Sequence, residues 1–156
     1  MIGFGYDVHK LASGESLVLG GVTLESKLGT VAHSDGDVLL HAIMDALLGA
    51  LALGDIGLHF PDTSAEWRGA DSIVLLKHVH QLIRSEGAHI VNIDSTVVLE
   101  SPRLRPHIDK MRARIADALS LDTKRVSIKA TTNERLGFIG REEGVAAYAV
   151  VQVERD

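Results

Sequence analysis

Three side chains in the first third of the sequence are of types that bind metal ions. Asp7 and His9 lie two residues apart in the stretch 2–9, which is typical of a strand, so both side chains point to the same side. His41 interrupts the apolar run 38–50, whose spacing predicts a buried helix. Two histidines and one carboxylate are the protein ligands of a catalytic Zn²⁺ whose fourth position stays open. On the residues alone, this site and an ordinary set of hydrogen-bonded core side chains are about equally supported.

A second polar stretch could contact phosphate groups. It runs from Lys129 to Glu134, where a predicted strand ends, and the glycine-rich segment 137–144 with Arg141 follows it. Paired threonine hydroxyls, backbone N–H groups of a glycine-rich turn and an arginine all suit phosphate oxygens. Glu134 could hold Mg²⁺, which typically takes one or two carboxylates together with substrate phosphates. The same residues could equally form a capped connection between a strand and a helix.

The composition is that of an ordinary globular domain. With 156 residues, of which 46% are hydrophobic, the chain suits one domain, 1–156, with its own core. The formal net charge of −5 argues against nucleic-acid binding. No apolar run is long enough for a membrane span, and the N-terminus has no basic and apolar leader, so we expect a cytoplasmic protein. Since there is no cysteine, any metal site must use His, Asp and Glu.

Periodicity and turn signals predict the elements that must position these groups. Helices are predicted at 37–53, 71–86 and 106–120, strands at 2–9, 88–99, 125–131 and 145–154, and a hairpin at 17–24. This order favours an α/β fold with a mixed four-stranded sheet and helices on one face. The last strand and much of 88–99 are apolar on both sides. We therefore expect the other face to be covered by self-association.

The motifs, taken in their order along the chain, resemble the 2-C-methyl-D-erythritol 2,4-cyclodiphosphate synthase family of the non-mevalonate isoprenoid pathway. No single motif is decisive, but the ordered set spans nearly the whole chain. The matching pieces are Gly5-Tyr6-Asp7-Val8-His9, His33-Ser34-Asp35-Gly36-Asp37 through Ala50, Gly54-Asp55-Ile56-Gly57, Phe60-Pro61-Asp62-Thr63, Gly69-Ala70-Asp71-Ser72, Lys129-Ala130-Thr131-Thr132-Asn133-Glu134, Gly137-Phe138 and Gly140-Arg141. Two small departures are Ser64, where the family often has an aspartate, and Arg103, where a lysine is common.

The resemblance implies an enzyme that acts on 4-diphosphocytidyl-2-C-methyl-D-erythritol 2-phosphate. The 2-phosphate attacks the β-phosphorus of the diphosphate, closes a cyclodiphosphate ring and expels CMP. Two metal sites are implied: Zn²⁺, or another divalent ion, on Asp7, His9 and His41, and Mg²⁺ or Mn²⁺ on Glu134. The family is homotrimeric, with each active site between two subunits, which would account for strands that are apolar on both sides.

The resemblance also implies roles for individual residues. His33 and Thr132 would be catalytic together with the metal ligands, and His33 and Ser34 would contact the 2-phosphate and the erythritol. The other implied substrate contacts are Asp55 and Gly57 at the erythritol hydroxyls, Phe60 and Asp62 in the same loop, and Pro102, Arg103, Leu104, Arg105, Thr131 and Thr132 at the cytidine diphosphate. Phe138 and Arg141 would line an apolar cavity on the trimer axis, where an isoprenoid diphosphate can sit.

Two other functions fit the same metal ligands. A metal-dependent phosphohydrolase would use Zn²⁺ to activate water and would release open-chain phosphates. A non-enzymatic trimeric module would hold a structural Zn²⁺ with four protein ligands. The reaction product distinguishes the first alternative from a synthase, and the fourth ligand position distinguishes the second.

Overall fold

A five-stranded mixed sheet lies at the centre of the fold, and the longer helices pack on one of its faces. The computed structural model describes residues 1–156. The strands are β1 (Ile2–Ser13), β2 (Leu17–Leu19), β3 (Val22–Leu24), β4 (Leu28–Val31), β5 (Ala88–Val98), β6 (Val126–Thr131) and β7 (Gly144–Arg155). The helices are α1 (Val38–Ala50), α2 (Ile56–His59), α3 (Ser72–Ser85), α4 (Ile108–Ala118) and α5 (Gly137–Gly140). None of these helices has the length and apolar character needed to cross a membrane.

The sheet has the strand order β4-β1-β7-β5-β6. Only β5 and β6 run parallel; the other neighbours are antiparallel, and β2 with β3 forms a separate hairpin. Helix α1 lies across β1 and β7, α3 packs against β5, and α4 packs against β6. The hydrophobic core fills the space between this helical layer and the sheet, and most of α1 is buried in it.

Two glycines let β1 lie directly on α1. A Cβ atom added to Gly5 would overlap the backbone carbonyl of Ala42, and one added to Gly3 would overlap that of Ala46. Both glycines lie on the face of β1 that meets the helix, because the buried positions of this strand alternate with exposed ones. The strand and helix backbones are therefore in contact here, closer than any side chain would allow.

The face of the sheet away from the helices is apolar and exposed. Phe4 and Tyr6 on β1 are 62% and 43% exposed, and Tyr148 on β7 is 41% exposed. The Tyr6 and Tyr148 residues are directly opposite in the antiparallel register, with ring centroids 5.1 Å apart. A contiguous aromatic surface of this kind is typical of a protein interaction site.

The predicted α/β class, the mixed sheet and the one-sided helical layer are confirmed. The sheet has five strands instead of four, because β1 continues past His9 to Ser13 and its second half pairs with β4. The predicted third helix begins at Ile108, since Pro106 lies in a short 3₁₀ turn, Arg105–His107, that precedes it. The short strand β4 has only four residues, too few for a periodic pattern.

Replacing Gly5 with Ala should separate β1 from α1. We expect a loss of about 1–3 kcal/mol in the free energy of unfolding, because the new methyl group must displace backbone atoms. The matched control is Gly49→Ala on α1, where an added Cβ meets no atom within 4 Å. That change should stabilise the helix by about 0.5–1 kcal/mol. Denaturant unfolding of both variants measures the difference, and equal effects would contradict the close contact.

Candidate metal centre and adjoining cavities

The carboxylate of Asp7 and the rings of His9 and His41 meet between β1 and α1. Asp7 Oδ2 lies 2.8 Å from His9 Nε2 and 3.1 Å from His41 Nδ1. The two ring nitrogens are 3.2 Å apart. These residues are the one group of three or more His, Asp or Glu side chains whose ligand atoms converge. The fold therefore brings the three predicted metal ligands together.

Strand parity and a helix cap position these ligands. Asp7 and His9 follow Gly5 on the face of β1 that meets α1, so both side chains point at the helix. His41 lies in the first turn of α1, which Asp37 caps by accepting the N–H of Leu40 at 3.1 Å. The site thus forms where the close contact between β1 and α1 continues toward the N-terminus of the helix.

A second function of the Asp37 carboxylate is to hold the β2–β3 turn. Its two oxygens accept the N–H groups of Gly20 and Gly21, at 3.0 and 2.7 Å. Asp37 is completely buried. Burial raises the pKa of this carboxyl to about 6, although the N–H donors of Gly21, Leu40 and Gly20 oppose the shift.

The charge of the Asp7 carboxylate favours a bound cation. Burial opposes ionisation of Asp7, but hydrogen bonds from His41 and His9 outweigh it and lower the pKa of this carboxyl to about 2. Burial also opposes the charged form of His41, yet the Asp7 carboxylate holds the pKa of His41 above its ordinary value. Asp7 is therefore an anion at neutral pH, as a metal ligand must be.

The donor set also fits a tetrahedral ion by size. Zinc bonds of about 2.0–2.1 Å to His nitrogen or carboxylate oxygen place tetrahedral ligand atoms about 3.3 Å apart. The three separations here, 2.8, 3.1 and 3.2 Å, require only a small outward movement of the side chains. Three such ligands leave the fourth position of a tetrahedral ion open.

The candidate metal centre opens into a cavity of about 430 Å³. The predicted substrate contacts that line this cavity with the metal ligands are His33, Ser34, Gly57, Phe60 and Asp62. The Phe60 ring packs edge-on against Trp67 and His78, with ring centroids 5.0 and 5.5 Å apart. Polar groups of both the β4–α1 loop and the 55–62 segment therefore converge on one space beside the ligands.

Asp55 has a different position from these residues. It caps α2 by accepting the N–H of Leu58 at 2.9 Å, and it is not among the residues that line the cavity. Asp45, a carboxylate within α1, accepts the N–H of Ile56 at 2.8 Å. Asp45 therefore fastens the 55–62 segment to α1. The signal in the sequence is a carboxylate within an apolar helix, which requires a partner but does not identify it.

A second cavity, of about 490 Å³, contains all the residues predicted to contact the cytidine diphosphate. They are Pro102, Arg103, Leu104, Arg105, Thr131 and Thr132. Its wall is part apolar, from Leu104 and Ile128, and part cationic, from Arg103 and Arg105. This combination suits a base or sugar next to phosphate groups.

Glu134 lines a third cavity, of about 390 Å³, which shares Glu100 and Thr132 with the second. Its backbone has a positive φ of 53°, and Arg135 follows with 61°. The Glu100 carboxylate accepts the N–H groups of Asn133 and Arg135, at 2.8 and 3.0 Å, and so holds this strained turn. Sequence reasoning missed Glu100, because its partners lie more than 30 residues away along the chain.

The remaining predicted residues, Phe138 and Arg141, line none of these three cavities. The Phe138 ring lies against Gly144, and the residue is 42% exposed. Arg141 pairs with Glu143 at 2.9 Å on the surface.

The first cavity shares no lining residue with the other two. Within one chain, the candidate metal ligands and Glu134 therefore lie in separate cavities.

Fold and site together define a class: a mixed α/β protein with a three-ligand candidate site for a divalent metal beside a polar cavity. The chain belongs to the YgbB family, whose family model matches residues 1–154. A curated relative, the 2-C-methyl-D-erythritol 2,4-cyclodiphosphate synthase of Chromohalobacter salexigens, is 61% identical over 150 residues, which are 96% of this chain and 93% of that protein. The predicted family is confirmed.

Solved structures agree with this membership. A 2C-methyl-D-erythritol-2,4-cyclodiphosphate synthase in its CDP-bound form superposes with a TM-score of 0.92 at 38% identity, over 99% of this chain and all of the other. The bifunctional IspDF of Campylobacter jejuni superposes with a TM-score of 0.95 at 44% identity over 99% of this chain. This chain spans 42% of the length of the bifunctional protein.

The buried Asp37 should make stability depend on pH. Its folded pKa of about 6 lies above the ordinary value of 3.8, so the folded state keeps a proton that the unfolded state loses between these values. The free energy of unfolding should therefore fall as pH rises from 4 to 6, by about 1–3 kcal/mol. The Asp37→Asn variant does not titrate. It also has one hydrogen-bond acceptor oxygen fewer than wild type, and this loss does not depend on pH. Denaturant unfolding at several pH values should show the wild-type advantage shrinking as pH rises, and parallel curves would contradict the assignment.

Proposed function

We propose that this chain is a cyclodiphosphate synthase of isoprenoid biosynthesis. It would convert 4-diphosphocytidyl-2-C-methyl-D-erythritol 2-phosphate to 2-C-methyl-D-erythritol 2,4-cyclodiphosphate and CMP. The observation that carries the proposal is the convergence of Asp7, His9 and His41 beside a cavity that also contains His33 and Ser34. The name of the relative that is 61% identical over 96% of this chain supports the same reaction.

The bonds of this reaction balance without a protein nucleophile. An oxygen of the substrate's 2-phosphate forms a bond to the β-phosphorus, and the bond from that phosphorus to the oxygen of CMP breaks. Both reacting groups belong to one molecule, so the protein contributes chiefly by folding the substrate and compensating its charge. A net charge of −5 requires that cations and local donors do this at the site.

The residues of the first cavity have complementary roles in this proposal. Asp7, His9 and His41 would hold Zn²⁺ or another divalent ion, which supplies positive charge to polarise phosphate oxygens. His33 and Ser34 line the same space and can donate hydrogen bonds to the 2-phosphate. Gly57, Phe60 and Asp62 also line this space, and they would enclose the erythritol and limit the access of water to it.

The second and third cavities would hold the nucleotide end of the substrate. Arg103, Arg105, Thr131 and Thr132 offer donors to the diphosphate and the cytidine. Glu134 presents one carboxylate, which suits Mg²⁺ or Mn²⁺ because such ions take their other ligands from water and phosphate. The CDP-bound relative supports a nucleotide as part of the ligand.

We further place the complete site between two subunits of a homotrimer. Two observations support this placement: the cavity of the metal ligands is separate from that of Glu134 in one chain, and the apolar sheet face with Phe4, Tyr6 and Tyr148 is exposed. Burying that face between copies would supply the contact that holds the subunits together. In this assembly, Phe138 and Arg141 would line the axial cavity and offer it an aromatic ring and a cation for an isoprenoid diphosphate.

Phosphorus NMR tests the proposed reaction directly. Purified protein with the cytidine-containing substrate, Zn²⁺ and Mg²⁺ should produce the cyclodiphosphate and CMP in equal amounts, and a chelator should abolish both signals. Open-chain phosphates would instead establish a phosphohydrolase. Folded, zinc-loaded protein that produces neither would establish a binding module.

Replacing His41 with Ala should remove both bound zinc and activity. The loss of one of three ligands leaves a two-ligand site that cannot hold the ion tightly. The control is His89→Ala, since His89 lies on the surface and pairs with Asp156 at 2.7 Å, away from the candidate metal centre. Metal analysis and ³¹P NMR measure the two effects. Full zinc content in His41→Ala would disprove the ligand assignment.

Replacing Glu134 with Ala should raise the Mg²⁺ or Mn²⁺ concentration required for activity while zinc content stays unchanged. Glu142→Ala is a closely matched control, because Glu142 lines the same cavity and also has a positive φ, 58° against 53°. Titration of the rate with Mg²⁺ separates the two variants. Loss of zinc from Glu134→Ala, or an equal response of both variants, would show that the second metal site is assigned wrongly.

A further inference from the structure

The far side of the His41 ring is hydrogen-bonded to a buried serine. His41 Nε2 lies 3.1 Å from Ser72 Oγ, at the first residue of α3. Ser72 is completely buried. Its Oγ and its backbone N–H both contact the Asp35 carboxylate, at 2.5 and 2.8 Å. A chain of hydrogen bonds therefore runs from Asp35 through Ser72 to the ring nitrogen that faces away from the metal ligands.

The direction of these hydrogen bonds follows from their donors. The Ser72 hydroxyl donates to Asp35 Oδ1, and this bond uses its single proton. The Ser72 oxygen can then only accept from His41, which requires the proton of the ring to be on Nε2. In the neutral ring, which is the form that binds a metal ion, Nδ1 then keeps its lone pair. This nitrogen is 3.1 Å from Asp7 Oδ2 and 3.2 Å from His9 Nε2.

We propose that Asp35 and Ser72 are positioning residues of the metal centre, which fix the His41 ring with its proton on Nε2 and its Nδ1 lone pair directed at Asp7 and His9. The proposal rests on the proposed function of these three residues as metal ligands. Hydrogen bonds to the second nitrogen of a ligand histidine set its tautomer and orientation, and their loss typically weakens metal binding about 10- to 100-fold.

Two features make Ser72 the stronger partner of the ring. Ser34 Oγ is the other acceptor near His41 Nε2, but it is 3.4 Å away and also accepts the N–H of Gly36. Ser72 is fixed by α3, whose N-terminus is capped by Asp71, and by the two contacts with Asp35. This chain of hydrogen bonds from Asp35 through Ser72 to His41, which we call the relay, joins three elements that meet at the site: the β4–α1 loop, α3 and α1.

Zinc affinity of Ser72→Ala tests the relay without substrate. Competition with a chelator should show at least a tenfold weaker affinity than wild type. The control is Ser95→Ala, because Ser95 is also buried and its hydroxyl donates to the Ser127 carbonyl at 2.9 Å, away from the ligands. Asp35→Asn should also weaken zinc binding. The two Asp35 oxygens accept the hydroxyl and the N–H of Ser72, and an amide has only one oxygen for these two bonds. Equal affinities in Ser72→Ala and Ser95→Ala would overturn the proposal.

Nitrogen NMR of the zinc-loaded protein supplies a signature that a merely structural role would not produce. In wild type, His41 should carry a slowly exchanging Nε2–H, which Ser72→Ala should make exchange at least tenfold faster. An unprotonated Nε2 in wild type would overturn the proposal even if Ser72→Ala does not fold. Because neither measurement uses turnover, a failed synthase assay with normal zinc binding would count against the proposed function alone.

Discussion

The contact between the backbones of β1 and α1 is the constraint on which the site depends. Gly3 and Gly5 have no side chain, and this absence lets the strand lie against the carbonyl groups of Ala42 and Ala46. The same face of β1 continues with Asp7 and His9, which therefore reach His41 across the narrowest part of the interface. A side chain of any size at the two glycines would hold the elements apart and separate the ligand atoms.

Three further carboxylates build the surroundings of this contact by accepting backbone N–H groups. Asp37 attaches the β2–β3 turn to the start of α1, Asp45 attaches the start of α2, and Asp35 attaches the start of α3. Each hydrogen bond fixes the position of a connecting segment, because secondary-structure propensity alone does not determine where such a segment lies. The acidic residues around α1 therefore serve mainly to assemble the walls of the cavity, while Asp7 alone among them directs an oxygen at the two histidines.

The sequence allowed prediction of the elements and ligands that follow from short periodic patterns. The spacing of Asp7 and His9, and the helical run around His41, made a shared metal site one of two equally supported interpretations. The family resemblance favoured the metal site and supplied the reaction. Strand β4 and the partners of Asp45 and Glu100 were not predictable, because each depends on which distant backbone group the folded chain brings near. Asp55 is a different case, because its partner is the nearby N–H of Leu58, and a local cap of this kind fits the same residue type as the substrate contact that the resemblance implied.

The most direct test is X-ray diffraction from zinc-loaded crystals at the zinc absorption edge. We expect one strong anomalous peak per chain, about 2.0–2.2 Å from Asp7 Oδ2, His9 Nε2 and His41 Nδ1, with a non-protein fourth ligand. The fourth position should face the cavity that is lined by His33 and Ser34. A peak elsewhere, or a fourth ligand from the protein, would contradict an open metal centre and with it the proposed chemistry.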